Sequence, residues 1–230
     1  MGMYDQFAAA YAADNEVNAY NALYERPAML TLLGDMHGKR VLDAGCGAGA
    51  LALEMLERGA NVTCIEISDA MAKLAHGRLG DRATVHVADL AQRITMCADA
   101  SFDVVAASLV LHYLEAWEPT LREFGRILVR GGVLAISTHH PTMDWQNAGG
   151  GYFETRQITE TWCKGGVPGS VTFWRRPLTA MIAAFRSTDF VIDTVVEPMP
   201  VAECAERFPE AYISLTTAPR FLFFRLRTPS

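Results

Sequence analysis

The chain has 230 residues, half of them hydrophobic and a fifth charged, with a net charge of −6 and no basic run. That length holds one large α/β domain with a sizeable core and a cap, and the charge balance excludes a nucleic-acid backbone as an expected partner. No apolar stretch approaches the ~20 residues of a membrane span, and no basic segment leads into an apolar one at the start, so a cytoplasmic protein is expected. Cys46, Cys64, Cys97, Cys163 and Cys204 show no Cys-x-x-Cys spacing. Neither a zinc ribbon nor a disulfide framework follows from them.

Residues 1–33 read as helical and are unusually aromatic, with Tyr4, Phe7, Tyr11, Tyr20 and Tyr24. Two readings fit: an amphipathic helix covering a sheet edge, or a lid over a ligand site. Arg26, before Pro27, is either a surface arginine or a partner for a ligand carboxylate. A first strand at 40–44 runs into Gly45, Cys46, Gly47, Ala48 and Gly49. Glycine lacks Cβ, so this turn permits positive φ and a close approach by a ligand. Asp43, beside that bare backbone, calls for a cationic or hydrogen-bond-donating partner. A helix over 50–58 stops at Gly59. Strand two ends at Glu66, 21 residues after Gly45, where a carboxylate is placed to accept from a ribose. Ser68 or Asp69 caps a helix over 70–79.

Strand three, 83–87, is followed by Asp89 and Leu90; Asp89 suits either the exocyclic amine of adenine or a helix N-cap. Residues 91–101 read as a loop. Strand four, 102–107, delivers Ser108 to the ligand edge, with His112 one helical turn on. A helix spans 115–128, Arg130-Gly131-Gly132 is a turn, and 133–137 is strand five. The alternation implies a mostly parallel sheet with helices on both faces and ligands at the carboxyl ends of its strands. Asp43, Glu66, Asp89 and Ser108 all fall at such ends.

Residues 139–176 are rich in glycine, histidine and tryptophan. They read as an insertion capping the site, with aromatics that suit a flat or apolar substrate or make a small second core. His139, His140 and Glu160 are candidate proton acceptors. A metal site from His139, His140 and Asp144 is disfavoured, because adjacent histidines in a strand point to opposite faces. A helix over 177–187, a strand over 190–196, a loop or short helix around 203–212 and a last strand over 221–226 complete the chain.

The segment Lys39–Gly49 resembles the class I S-adenosylmethionine (SAM)-dependent methyltransferases, particularly the small-molecule type 11 group that includes the ubiquinone and menaquinone enzymes. A dinucleotide fingerprint has Gly-x-Gly-x-x-Gly spacing; here it is Gly-x-Gly-x-Gly after an acid, which repels a pyrophosphate and suits a ligand with an amino group. Residues 108–114 and 128–134 share the resemblance. It implies a seven-stranded sheet of order 3-2-1-4-5-7-6 with the last strand antiparallel, in one domain over 1–230. It also implies that Tyr4–Tyr11 folds over bound SAM, with Tyr11 the leading contact. Asp43 and Gly45, with Cys46 and Gly47, would hold the amino-acid end. Glu66 and Ile67 would hold the ribose; Met71, Asp89 and Leu90 the adenine pocket; Ser108 the edge beside them. A methyl acceptor that must lose a proton would use His140 or His139, then His112. The expected function is methyl transfer from SAM to a small aromatic or apolar molecule. The alternatives are a nicotinamide-dependent oxidoreductase and a SAM-binding protein without catalysis.

Overall fold

Side chains alternate across each strand, so one sheet builds two cores. The computed structural model describes residues 7–164 and 166–229. Its sheet comprises β1 (Arg40–Ala44), β2 (Asn61–Glu66), β3 (Thr84–Val87), β4 (Phe102–Ser108), β5 (Leu128–His139), β8 (Val191–Val196) and β9 (Phe221–Arg227). The order is β3-β2-β1-β4-β5-β9-β8. The first five are parallel neighbours, and β9 runs antiparallel to both β5 and β8. The expected order therefore holds. The two extra strands, β6 (Arg156–Lys164) and β7 (Val167–Arg175), form a separate antiparallel hairpin inside the 139–176 insertion.

Val41, Val62, Val104, Val133 and Phe223 face one core. It is closed by α2 (Arg26–Leu33), α3 (Ala50–Glu57) and α4 (Asp69–Leu79), with α8 (Glu203–Arg207) and α9 (Pro209–Thr217) beyond. Leu42, Ile65, Val105, Leu134 and Phe224 face the other. It is closed by α5 (Glu118–Ile127) and α7 (Leu178–Ser187). Helices on both faces leave the strand ends as the only uncovered side of β1, β2 and β4, and that positions the site.

Two expectations need correction. Residues 130–132 are not a free turn; β5 starts at Leu128 and bulges there, since its register on β4 jumps between Phe102–Leu128 and Val104–Val133. The residues around Gly131, at φ 69°, are the ones looped out, and the Gly131 N–H donates to the Pro229 carbonyl. The helix after β4 is shorter than expected. A 3-10 turn at Leu111–Tyr113 comes first, and α5 starts only at Glu118, where Pro119 fits the first turn. Of the insertion, α6 (Pro141–Ala148) precedes the hairpin.

The N-terminal segment is helical from Ala8, as α1 (Ala8–Val17) and then a π-helical turn, Asn21–Glu25, that runs directly into α2. Tyr4, the first residue of the expected lid motif, lies outside the described residues. Phe7 packs on the hairpin: a Cβ at Gly169 would come 2.2 Å from its ring. Phe7, Val171 and Phe173, with Tyr11 and Trp162 against them, make a third, small core. No helix among the described residues is long and apolar enough to cross a membrane.

Candidate active site

The Asp43–Gly49 turn is built by backbone geometry that only glycine takes without strain. Gly45 has φ 78°, and a Cβ there would lie 2.4 Å from Val110 Cγ2. Its N–H donates to the Ile65 carbonyl at 2.8 Å, which ties the turn to β2. Gly47, at φ 56°, donates its N–H to Glu66 Oε2 at 2.9 Å, and the Ser68 N–H donates to Glu66 Oε1 at 2.9 Å. Glu66 is thus fixed by two backbone donors before any ligand arrives. Ser68 caps α4 by accepting the Met71 N–H at 3.2 Å, which settles the cap between the two candidates.

These elements wall a cavity of about 570 Å³ at the carboxyl ends of β1, β2, β3 and β4. Every residue expected to contact the cofactor lines it: Tyr11, Asp43, Gly45, Cys46, Gly47, Glu66, Ile67, Met71, Asp89, Leu90 and Ser108. No helix follows Asp89, so it is not an N-cap: its Oδ1 accepts the Ala91 N–H at 2.8 Å within a turn, and the residue lines the cavity. Gln157 and Trp174 of the hairpin and Asn15, Asn21 and Glu25 of the N-terminal segment complete the wall. The insertion and the N-terminal helices therefore close over the sheet edge from two sides.

The cavity is anionic. Glu16, Glu25, Asp43, Glu66, Asp89 and Glu115 line it, against Arg26 alone. Asp43 is fully buried, and neither of its carboxylate oxygens has a hydrogen-bond partner among the described residues. Burial, then the charges of Glu25 and Glu66, push its carboxyl up to about 7 against the pull of the Ala52 backbone N–H. A buried acid without a partner is costly, and a ligand cation removes the cost. Burial likewise raises Glu25, opposed by hydrogen bonds from Ser137 and Ser108. The set fits SAM: acids for its ammonium and sulfonium, one arginine for its carboxylate, and a glycine cradle for its close approach. It does not fit a pyrophosphate. Glu25 was not foreseen from sequence; its serine partners lie 83 and 112 residues away.

None of the three candidate histidines lines this cavity. His140 caps α6: its Nδ1 accepts the Thr142 N–H at 3.3 Å, so its proton sits on Nε2, 2.9 Å from Glu197 Oε1. His139 has Nδ1 3.4 Å from Asp144 Oδ1 and stacks on His112 with centroids 4.0 Å apart. His112 is buried, and both its ring nitrogens lack partners among the described residues. Burial, with His139 and Arg176 adding to it, holds His112 neutral. Phe173 of β7 packs edge-on against both rings. Of the insertion's other aromatics, Trp162 joins the small core, as one reading expects, while Phe153 is exposed and does not line the cavity.

A glycine-rich β1–α3 turn, a carboxylate ending β2 and an anionic cleft over a 3-2-1-4-5-7-6 sheet define a nucleoside-binding α/β domain of the methyltransferase type. Comparison with known proteins agrees. Residues 42–136 match the family model described as a methyltransferase domain. A ubiquinone biosynthesis O-methyltransferase of Xanthomonas oryzae is 36% identical over 114 residues, 47% of this chain and 46% of that one. A malonyl-(acyl-carrier protein) O-methyltransferase of Enterobacter lignolyticus is 32% identical over 128 residues, 56% of this chain and 48% of that one. The matched region spans about half the length of these curated relatives. The solved SAM-dependent methyltransferase from Mesorhizobium loti superposes with a TM-score of 0.71 at 25% identity, over 93% of this chain and 99% of that one. Residues 42–136 thus match a methyltransferase domain, as the resemblance implied, and the expected fold and cofactor are borne out.

Proposed function

We propose that the protein transfers the methyl group of SAM to a small molecule that enters between the N-terminal helices and the β6–β7 hairpin. The charge of the cavity supports this most directly: five acids besides Glu16, which pairs with Arg78, and one arginine suit a ligand with two cationic centres and one carboxylate. When bound, SAM supplies a methyl group already activated by a positively charged sulfur. The chain's own task is then to hold, orient and keep dry. Asp43 and the Gly45–Gly47 backbone hold the amino-acid end. Glu66, pre-set by the Gly47 and Ser68 N–H groups, faces the ribose. Asp89, Leu90 and Met71 enclose the base. Tyr11, Tyr113 and Trp174 give the acceptor side of the cavity flat, largely apolar walls.

An acceptor that loses a proton needs a base. His140 has both nitrogens engaged, and His112, though unpartnered among the described residues, is buried away from the cavity wall and held well below the ordinary histidine range, which makes it a weak base; positioning of the acceptor therefore carries the reaction, and no histidine is assigned the proton.

Calorimetric titration with SAM, S-adenosylhomocysteine and NADH tests the reading. Binding of both adenosyl ligands and none of NADH is expected. Binding of NADH alone would put the oxidoreductase in its place; SAM binding with no turnover across an acceptor panel would favour a non-catalytic role.

A further inference from the structure

The carboxylate of Glu25 is the least explained buried charge in the molecule. It comes from the N-terminal segment, at the end of the π-helical turn, and is 3% exposed. Its Oε1 accepts the Ser108 hydroxyl at 2.8 Å and the Ser137 hydroxyl at 2.5 Å. Those serines end β4 and sit near the end of β5, so Glu25 is held over the same sheet edge that carries Asp43. It lines the same cavity, and its charge acts on Asp43 strongly enough to rank next after burial.

Neither carboxylate forms an ion pair among the described residues. The nearest cation in sequence, Arg26, directs its Nη2 to the Asn15 carbonyl at 2.9 Å. Structure alone gives no reason to bring two buried carboxylates together without a cation. A hydrogen-bonded neutral residue would anchor the helix to the two serines at lower cost. A π-turn, which shifts a helix out of phase by one residue, is a common device for aiming a functional side chain.

We propose that Glu25 and Asp43 hold the ligand's α-ammonium between them, one from the N-terminal helical segment and one from β1, so that binding the amino-acid end of SAM pins that segment onto the sheet. The inference rests on the SAM reading and extends it. The N-terminal segment then contributes a charged binding residue, beyond covering the ligand. It also sets the ligand class: an adenosyl compound is bound tightly only when it carries an amino-acid ammonium group.

Glu25→Gln tests this, because the amide keeps an acceptor oxygen for both serine hydroxyls and removes only the charge. The measurements are affinity for SAM and for 5′-methylthioadenosine, which lacks the amino-acid end, together with the melting temperature of the ligand-free protein. The expected result is a loss of SAM affinity of at least tenfold, unchanged methylthioadenosine affinity, and a melting temperature equal to or above wild type. SAM affinity within twofold of wild type overturns the proposal, as does an equal loss for both ligands, which marks Glu25 as a structural anchor. Should Glu25→Gln not fold, Ser137→Ala carries the same contrast through a loosened Glu25. If wild type itself binds methylthioadenosine but not SAM, the cofactor reading falls with it; if wild type binds SAM and the variant is indifferent, only this inference falls.

Discussion

The edge formed by β1, α3 and β2 and the insertion between β5 and α7 treat their polar groups in opposite ways. At the first, Glu66 is locked by the N–H groups of Gly47 in the turn and Ser68 just after β2, and Asp43 is buried with its oxygens unpartnered among the described residues. That edge is finished except for a ligand. In the insertion, most polar side chains find partners in the chain itself: Trp162 with Glu160, Arg175 with the Gly149 and Gly151 carbonyls, and His140 with Glu197 beyond β8. A region whose hydrogen bonds close on themselves is built to hold shape; one with a buried charge left over is built to bind. The closure is incomplete: both His112 nitrogens, His139 Nδ1 and the Nε atoms of Arg175 and Arg176 are buried without a hydrogen-bond partner among the described residues.

The contrast breaks if the rigid edge tolerates change. Gly45→Ala places a methyl group on Val110 at positive φ, so a destabilisation of roughly 3 kcal/mol is expected from strain and overpacking together. Urea unfolding measures it, and a shift under 1 kcal/mol would mean that the turn yields.

A second test uses pH. Free Asp43 titrates near 7, with Glu25, Glu66 and Arg26 as its charged neighbours in the cavity. Bound to an ammonium group it is ionised. Below about pH 7 binding therefore releases a proton, and SAM affinity rises toward tenfold per pH unit, flattening above. The ligand-free protein shows the opposite trend. Its Asp43 carboxyl is raised above the unfolded value, so the associated stability is fully present below about pH 4 and is lost as pH rises through 7. Asp43→Asn should flatten both profiles and weaken SAM binding by about 2 kcal/mol, a charged hydrogen bond's worth. Calorimetry in buffers of different ionisation enthalpy counts the proton directly; no release at pH 6 sinks the assignment.

The smallest effect sharpens the other side. His140→Gln should cost about 1 kcal/mol or less, since Glu197 is 59% exposed, and should leave kcat unchanged. A large fall in kcat would return His140 to the chemistry and erase the distinction between the two regions.

The same contrast explains what could be read in advance. Asp43, Gly45 and Glu66 are legible because their partners are close in sequence or repeat the strand-end logic of every open α/β sheet. The sheet order came through the resemblance for the same reason. Glu25 was invisible: nothing local to Asn21–Glu25 announces a π-turn or points to Ser108 and Ser137. His140 attracted a catalytic role because a histidine after a strand looks available, and only the fold brings Glu197, 57 residues on, to its ring. The looped-out residues around Gly131 read as a turn because glycine signals a bend without saying whether the strand resumes on the same neighbour.

The π-turn also gives the N-terminal segment one residue of slack. In it the Glu25 N–H donates to the Tyr20 carbonyl, five residues back. Deleting one residue between Asn21 and Tyr24 would remove the extra residue that the wide turn holds, so the turn could close in the ordinary α register with its two flanks still in phase. Closing the turn at full length would instead rotate one flank against the other by about 100° and slide it by about 1.5 Å, against the clamp of Ser108 and Ser137 on Glu25. In this protein a one-residue deletion there is expected to disturb the roof of the site less than a substitution that straightens the turn without shortening it.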